Sequence, residues 1–293
     1  MVTRMYEDIL LPFDATEGAT DVLHHAGEIA HWADATIHIL YVADTTRDSV
    51  TVVEGHLVDA LVQEGEEIVE EAEETLRTLG VDYESDVVQG NPAPTIVEYA
   101  ERYEHDLIVM PTHGREGISR YLLGSISEKV VRLSPVPVLT ARMQPDEQFA
   151  FPYENILIPT DGSASATHAA RHGLSLATAF DATVHVLSVV DDTSLGPDIR
   201  STISDQEREQ AATDAVDDLV SKAETYGVAN TVRHVEHGEP VREILDCIEA
   251  NDIHVVVMGT TGRRRTDRIL LGSVAEKTVR SAPVPVITVR KTD

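Results

Sequence analysis

Two tandem α/β domains are predicted, each a doubly wound, five-stranded parallel sheet with helices on both faces, and three observations predict them. The chain of 293 residues repeats itself about halfway along. Within each half, short apolar runs alternate with longer amphipathic stretches. Each half also places a glycine-bracketed loop between an apolar run and a helix start, the arrangement in which backbone N–H groups hold phosphates.

The repeat sets the domain boundaries. Glu7-Asp-Ile-Leu-Leu-Pro-Phe-Asp14 aligns with Glu154-Asn-Ile-Leu-Ile-Pro-Thr-Asp161 at an offset of 147, as does Ala35-Thr-Ile-His-Ile-Leu-Tyr-Val42 with Ala182-Thr-Val-His-Val-Leu-Ser-Val189. Gly90-Asn-Pro92 matches Gly238-Glu-Pro240, and Pro135-Val-Pro-Val-Leu139 matches Pro283-Val-Pro-Val-Ile287, now at 148. A unit of this length is a domain and not a solenoid repeat. The polar stretch 143–153 contains two prolines and reads as the linker between domains at 1–142 and 154–293.

In the first half, strands are expected at 9–13, 36–42, 87–88, 107–110 and 136–140, which are short and rich in β-branched residues. Between them, 16–33, 54–79, 92–103 and 125–133 have helical periodicity. The second half repeats the order, with helices at 163–180, 204–226, 240–250 and 273–281. Alternating strands and helices imply a parallel sheet. Such sheets bind ligands beyond the carboxyl ends of their strands, where the strand order reverses. Asp14 and Asp161 end the first strands and the glycine loops follow the fourth, so both features meet at one crevice.

The second loop runs Gly259-Thr-Thr-Gly262, nine residues, then Gly272-Ser273. The first runs Pro111-Thr-His-Gly114, nine residues, then Gly124-Ser125. Glycine removes the Cβ that blocks close approach, and a helix N-terminus favours anions.

Composition narrows the function classes. The formal charge is −28, and lysine occurs only at 129, 222, 277 and 291. Such a field argues against general nucleic-acid or anionic-membrane binding and suits a protein kept soluble in a high-salt cytosol. The acidic run Glu64-Gly-Glu-Glu-Ile-Val-Glu-Glu-Ala-Glu-Glu74 reads as a solvated helix face. A lone Cys247 in an apolar-spaced helix reads as a core residue, and no disulfide can form within the chain. The N-terminus has no apolar leader and no apolar run reaches spanning length, so a cytoplasmic location is expected.

His168 and His172, four apart on a helix, could present both rings on one side. However, no carboxylate completes a metalloprotease motif, and the first half has no matching pair. His24-His25 points two ways. No Gly-x-Ser-x-Gly elbow appears, and Ser204-Asp205 reads as a helix N-cap. No catalytic residues and no protein-bound metal site are expected.

The combination Gly-x2-Gly-x9-Gly-Ser, a helix and then Pro-Val-Pro-Val resembles the nucleotide motif of the universal stress protein family, as does the opening strand ending Ile-Leu-Ile-Pro-Thr-Asp161-Gly-Ser. The likeness covers nearly all of both halves, as two fused copies of an adenine-nucleotide α-hydrolase-like, flavodoxin-like sandwich. By resemblance to ATP-binding members, Asp161 would face the ribose and phosphates, with Pro159 flanking. Val189 would offer backbone groups to the adenine edge. Gly259 and Gly262 would admit the sugar and phosphates, which Gly272, Ser273 and the N–H of Val274 would hold. Mg²⁺ or Mn²⁺ would accompany ATP. The resemblance also implies a pseudo-dimer of the two domains through their last strands, with further homodimerisation open.

The first half departs from this pattern. Pro12, Asp14, Val42, Gly114, Gly124 and Ser125 stand at the matching positions, but Pro111 replaces Gly259, and proline lacks both the freedom and the N–H. That loss matters only if the first position binds through its N–H. In the second half, Thr261 stands where the first has His113. Arg263-Arg-Arg265 and Arg268 fall inside the second loop, where Arg263 would meet phosphate or the protein's own carboxylates. No Walker lysine follows the glycines, so the expected function is ATP-regulated stress signalling with little or slow turnover. Two rivals are a scaffold of the same family that binds no nucleotide, and an adenylating ATP-pyrophosphatase. The second needs a Ser-Gly-Gly-x-Asp-Ser-like loop after the first strand, which neither half supplies.

Overall fold

The computed structural model describes residues 5–16, 19–45, 56–112, 123–142, 149–191, 205–262 and 271–291. The chain divides into two compact units, one within residues 3–145 and the other within 146–293.

The first domain runs β1 (Asp8–Pro12), α1 (Ala19–Ala33), β2 (Thr36–Asp44), α2 (His56–Leu79), β3 (Tyr83–Gly90), α3 (Pro92–Arg102), β4 (Leu107–Pro111), α4 (Ser125–Leu133) and β5 (Val138–Ala141). Its five strands are all parallel, in the order β3-β2-β1-β4-β5. Helices α1 and α2 pack together on one face and α3 and α4 on the other. The strands are apolar because both faces are covered: Ile9, Leu10, Leu107, Ile108 and Val109 are fully buried.

The second domain repeats this with β6 (Asn155–Pro159), α5 (Ala164–Phe180), β7 (Thr183–Asp191), α6 (Asp205–Tyr226), β8 (Thr231–Gly238), α7 (Pro240–Ala250), β9 (Val255–Gly259), α8 (Ser273–Ser281) and β10 (Val286–Val289). Its strand order is β8-β7-β6-β9-β10. In each sheet the order reverses between the first and fourth strands, which opens the crevice there.

Three differences from the sequence reading have physical causes. The third strand spans Tyr83–Gly90, well beyond the expected 87–88. It is a sheet edge whose exposed side chains carry no apolar alternation, and its register against β2 holds it. The last strand starts at Val138 and not 136, since Pro137 has no N–H to give and serves only as an acceptor for Ile108 N–H at 2.9 Å. The end of the expected linker also belongs to the second domain, where Phe151 and the buried Tyr153 meet Phe180 edge-on with centroids 5.3–5.4 Å apart.

The acidic run lies on α2 as a solvated face. Glu66, Glu67, Glu70, Glu71 and Glu74 are exposed, while Ile68, Val69, Ala72 and Leu76 are buried. Among the described residues no helix is long and apolar enough to cross a membrane.

Candidate functional site

In the second domain, strand β6 stops at Pro159 and the chain turns away through Thr160 and Asp161. Its neighbour β7 continues for four residues past Leu187, the partner of Pro159. The Leu187 carbonyl accepts from Thr160 N–H at 2.8 Å. Backbone groups two residues apart on a strand point the same way, so the N–H and C=O of Val189 face the space beyond the end of β6. That space is a cleft of about 420 Å³, within the usual size of small-molecule sites.

An Asx turn shapes the front of this cleft. Ser163 N–H donates to Asp161 Oδ1 at 2.9 Å, and Gly162 takes a left-handed φ of 72° between them. The other Asp161 oxygen is thereby aimed at the glycine loop: a Cβ on Gly262 would stand 2.9 Å from Oδ2. Ser163 also caps α5, its hydroxyl accepting from Ala166 N–H at 3.1 Å, so that helix start is satisfied internally.

The start of α8 differs. Its N-cap, Gly272, has no side chain to offer and makes no side-chain cap bond. First-turn N–H groups have no partner within the helix, and Ser273, Val274 and Ala275 all line the cleft. The loop before them is pinned at its base, Gly272 N–H donating to the Thr260 carbonyl at 2.7 Å. One end of the cleft is therefore a row of uncapped donors at the positive end of a helix. Leu187, Val189, Pro240, Ile244 and Met258 give the same cleft an apolar wall.

Eight residues expected from the sequence, Pro159, Asp161, Val189, Gly259, Gly262, Gly272, Ser273 and Val274, come together around this one cleft. Arg263, with Arg264, Arg265 and Arg268, lies outside the described residues. Sequence reasoning missed the apolar wall and Asp191, which also lines the cleft. The signal was available: Leu187, Val189 and Asp191 are alternate residues of one strand, and Gly238-Glu-Pro240 is one of the repeated motifs.

Gly259 is explained by packing. A Cβ there would point at α5, standing 2.7 Å from Ser165 Oγ and 3.0 Å from the Ser165 carbonyl carbon and oxygen. Glycine is needed at this position for the helix to approach the strand.

The first domain keeps much of the framework. Phe13 N–H donates to the Leu40 carbonyl at 3.0 Å, which sets Val42 as Val189 is set. Asp14, just past Pro12, forms the same turn, Oδ1 accepting from Thr16 N–H at 3.3 Å and from its hydroxyl at 2.8 Å. Ala15 takes φ 53°, the conformation Gly162 takes, despite its Cβ. Gly124 N–H donates to the Thr112 carbonyl at 2.7 Å, and Gly124 again leaves the Ser125 end of α4 without a side-chain cap. Here Ser127, in the place of Ala275, bonds the Pro111 carbonyl at 2.8 Å. Gly114 and His113 lie outside the described residues.

The other candidates reduce to packing. Burial, and next the neighbouring His168, hold His172 down at about 4, a neutral ring. Burial pushes the Cys247 thiol up to about 11, and Asn251 lies against its sulfur at 3.5 Å. Among the described residues no group of three or more His, Cys, Asp or Glu side chains is placed to hold a metal ion.

The profile of the universal stress protein family matches this chain over residues 5–142 and 152–290. A universal stress protein of Methanocaldococcus jannaschii is 33% identical over 142 residues, covering 47% of this chain and 84% of that one. One from Mycobacterium tuberculosis is 31% identical over 219 residues, 71% of this chain and 68% of that protein. Among solved structures, a universal stress protein from Archaeoglobus fulgidus matches with a TM-score of 0.74 at 22% identity over 99% of both chains. That likeness speaks to the fold of both domains.

Proposed function

The chain belongs to the universal stress protein family, and from that premise we propose that the cleft of its second domain binds ATP as a regulatory ligand. The observation that carries the proposal is the row of uncapped N–H groups at Ser273, Val274 and Ala275, opening into a cleft that also has an apolar wall. An adenine ring suits the apolar wall, with its edge on the Val189 backbone. The phosphates suit the α8 N-terminus, where Gly272 brings the backbone close. Asp161, turned toward Gly262, would accept from ribose hydroxyls or join a divalent ion, Mg²⁺ or Mn²⁺, held chiefly by the phosphates.

The ligand's chemistry here is charge and shape. A bound triphosphate would alter the charge and shape that the cleft offers to a partner. No Walker lysine accompanies the glycines, which fits slow turnover. The first domain offers the corresponding Asp14, Val42, Gly124 and Ser125 for a second, separate site.

Isothermal titration with ATP and Mg²⁺ tests this. Binding is expected in the wild type and is expected to be lost in a Gly262→Val, Gly272→Val variant that still folds. No binding by the wild type, or unchanged binding in the variant, would leave the scaffold reading in its place.

A further inference from the structure

We infer that His105 is a proton-operated latch at the foot of α3: its neutral ring closes the corner between α3 and β4, and on taking a proton it lets that corner open to water. The inference concerns the first domain and does not depend on any nucleotide. His105 is 4% exposed, yet neither ring nitrogen has a hydrogen-bond partner. An imidazole always carries at least one N–H, and burying its polar atoms unpaired costs stability. The repeat shows that the place needs no histidine. Its counterpart in the second domain is the fully buried Ile253, whose N–H donates to the Ile248 carbonyl at 3.2 Å as His105 N–H donates to Ala100 at 3.0 Å. Apolar bulk satisfies the packing there, so what the imidazole adds is its titratable nitrogens.

The groups around the ring set its response. From β2, His38 meets it edge to face with centroids 4.6 Å apart. From the α3 side, Tyr99 and Tyr103 lie at 5.7 and 6.5 Å. The nearby carboxylates are engaged elsewhere. Asp8 Oδ1 stands 2.9 Å from His38 Nε2, and Glu84 Oε2 stands 3.6 Å from His38 Nδ1. Asp86 accepts from the Tyr99 hydroxyl, and Asp106 accepts from the N–H groups of Glu7 and Asp8 at 2.7 and 3.1 Å. Burial, and next His38, hold His105 below the ordinary histidine range, against the opposing pull of the Ala100 carbonyl, Asp8 and Asp106.

The corner can open without the rest of the domain. Glu104 holds a left-handed φ of 54°, which strains a residue with a Cβ. Tyr103, which covers the ring, is itself 53% exposed, so water lies one side chain away. Swung outward, the imidazolium would stand at the negative end of α3, beside the exposed Glu101 and Glu104. Helix ends open at far less cost than core strands. The other end of α3 carries Pro92 and Ile96, which align with Pro240 and Ile244 of the second-domain cleft wall. A loosened foot therefore reaches the matching wall of the first domain.

The opened corner takes up the proton before the closed one, so closure is complete above about pH 6.5 and is lost as the pH falls. Amide exchange of the full chain, followed by peptide and expressed as protection factors to cancel the intrinsic pH dependence, tests this. Residues 97–106 should lose protection by up to about tenfold per pH unit at the acid end, while β1 and β2 hold. His105→Ile, which copies the second domain, should remove that dependence and raise protection at neutral pH. His105→Leu takes its place should the isoleucine variant fail to fold. His38→Gln should keep the dependence and move it to higher pH, since the opposing imidazole is gone. Unchanged dependence in the folded His105 variants overturns the inference. Its loss in His38→Gln also overturns it, by placing the proton on the other ring. Parallel loss of protection across β1 and β2 in the wild type overturns it too, since the proton would then unfold the whole domain.

Discussion

Gly259→Ala should weaken the second domain without weakening its grip on nucleotide. The new methyl would stand 2.7 Å from Ser165 Oγ and 3.0 Å from that residue's carbonyl carbon and oxygen. The hydroxyl can rotate away, but the backbone of α5 cannot. Overpacking of this kind costs about 1–3 kcal/mol. The smaller unfolded-state entropy of alanine offsets about 0.4–1 kcal/mol of it. The net is a loss of about 1–2 kcal/mol, or roughly 3–8 °C in Tm for a domain of this size. Adding Ser165→Gly removes the hydroxyl but leaves the backbone contact, so relief is partial and the double-mutant cycle should show about 0.5–1 kcal/mol of coupling. Calorimetry of the full chain gives the transitions, and titration gives affinity, expected within about twofold of wild type. A tenfold loss of ATP affinity at unchanged Tm would refute the packing role. An additive cycle would refute the contact with Ser165.

Gly272→Asp should do the reverse. A side-chain cap on α8 adds a few tenths of a kcal/mol over glycine, with the helix dipole in its favour. It also occupies the N–H groups a phosphate needs, so Tm holds or rises while ATP binding falls, as melting and titration of one sample would show. The second domain should lose stability in mild acid. His185 lies 6% exposed with its Nδ1 3.1 Å from His234 Nε2, and burial first, then His234, hold it at about 4 against the ordinary 6.5. The unfolded chain takes up the proton first, so this stability is complete above pH 6.5 and declines as pH falls toward 4, by up to roughly 3 kcal/mol. Urea midpoints measured across that window should slope downward with falling pH, and His185→Leu with His234→Leu should reduce the slope, leaving the share that buried His172 contributes. Salt should stabilise the first domain. Glu66–Glu70, Glu67–Glu71 and Glu70–Glu74 are like-charge neighbours four apart on the exposed face of α2, together costing about 1 kcal/mol at low ionic strength. Raising KCl should slow amide exchange in α2, and Glu67→Gln with Glu70→Gln should remove much of that response.

Much of the fold was legible because it rests on strong periodic signals. Four of the five first-domain strands and all eight helices lie where apolar spacing puts them, and α4 and α8 begin at the residues that follow their glycines. The third strand was nearly invisible because Tyr83–Gly90 is an edge: hydrogen bonds to β2 hold it, and polar side chains are tolerated on it. The cleft was half legible. Its anion end is written in glycines, whose absent side chains leave a sequence mark. Its base end is written in Leu187, Ile244 and Met258, which look like any other core residue. Only strand register and the packing of α7 assign them to a wall.

The same distinction governs Pro111, which from sequence alone subtracts a glycine from the first cradle. In the second domain the side-chain direction at the matching Gly259 leads into α5 and onto Ser165, away from the cleft. The residue aligned with Ser165 in the first half is Gly18, itself outside the described residues. Between the two halves, then, bulk has moved from one aligned position to the other: glycine at 259 accompanies serine at 165, and proline at 111 accompanies glycine at 18. In the second domain the glycine makes room for the serine where α5 meets β9. The exchange makes no statement about phosphates. Among the described residues, the two halves differ at the anion end in the side chain of the third residue of the last helix. Ser127 spends its hydroxyl on the Pro111 carbonyl, whereas Ala275 leaves that place open to the cleft. Pro111→Gly alone should therefore not create a first-domain site that the wild type lacks. A first-domain site detected in the wild type should survive that substitution unchanged, and titration of a chain whose second site is closed by Gly262→Val and Gly272→Val isolates the comparison.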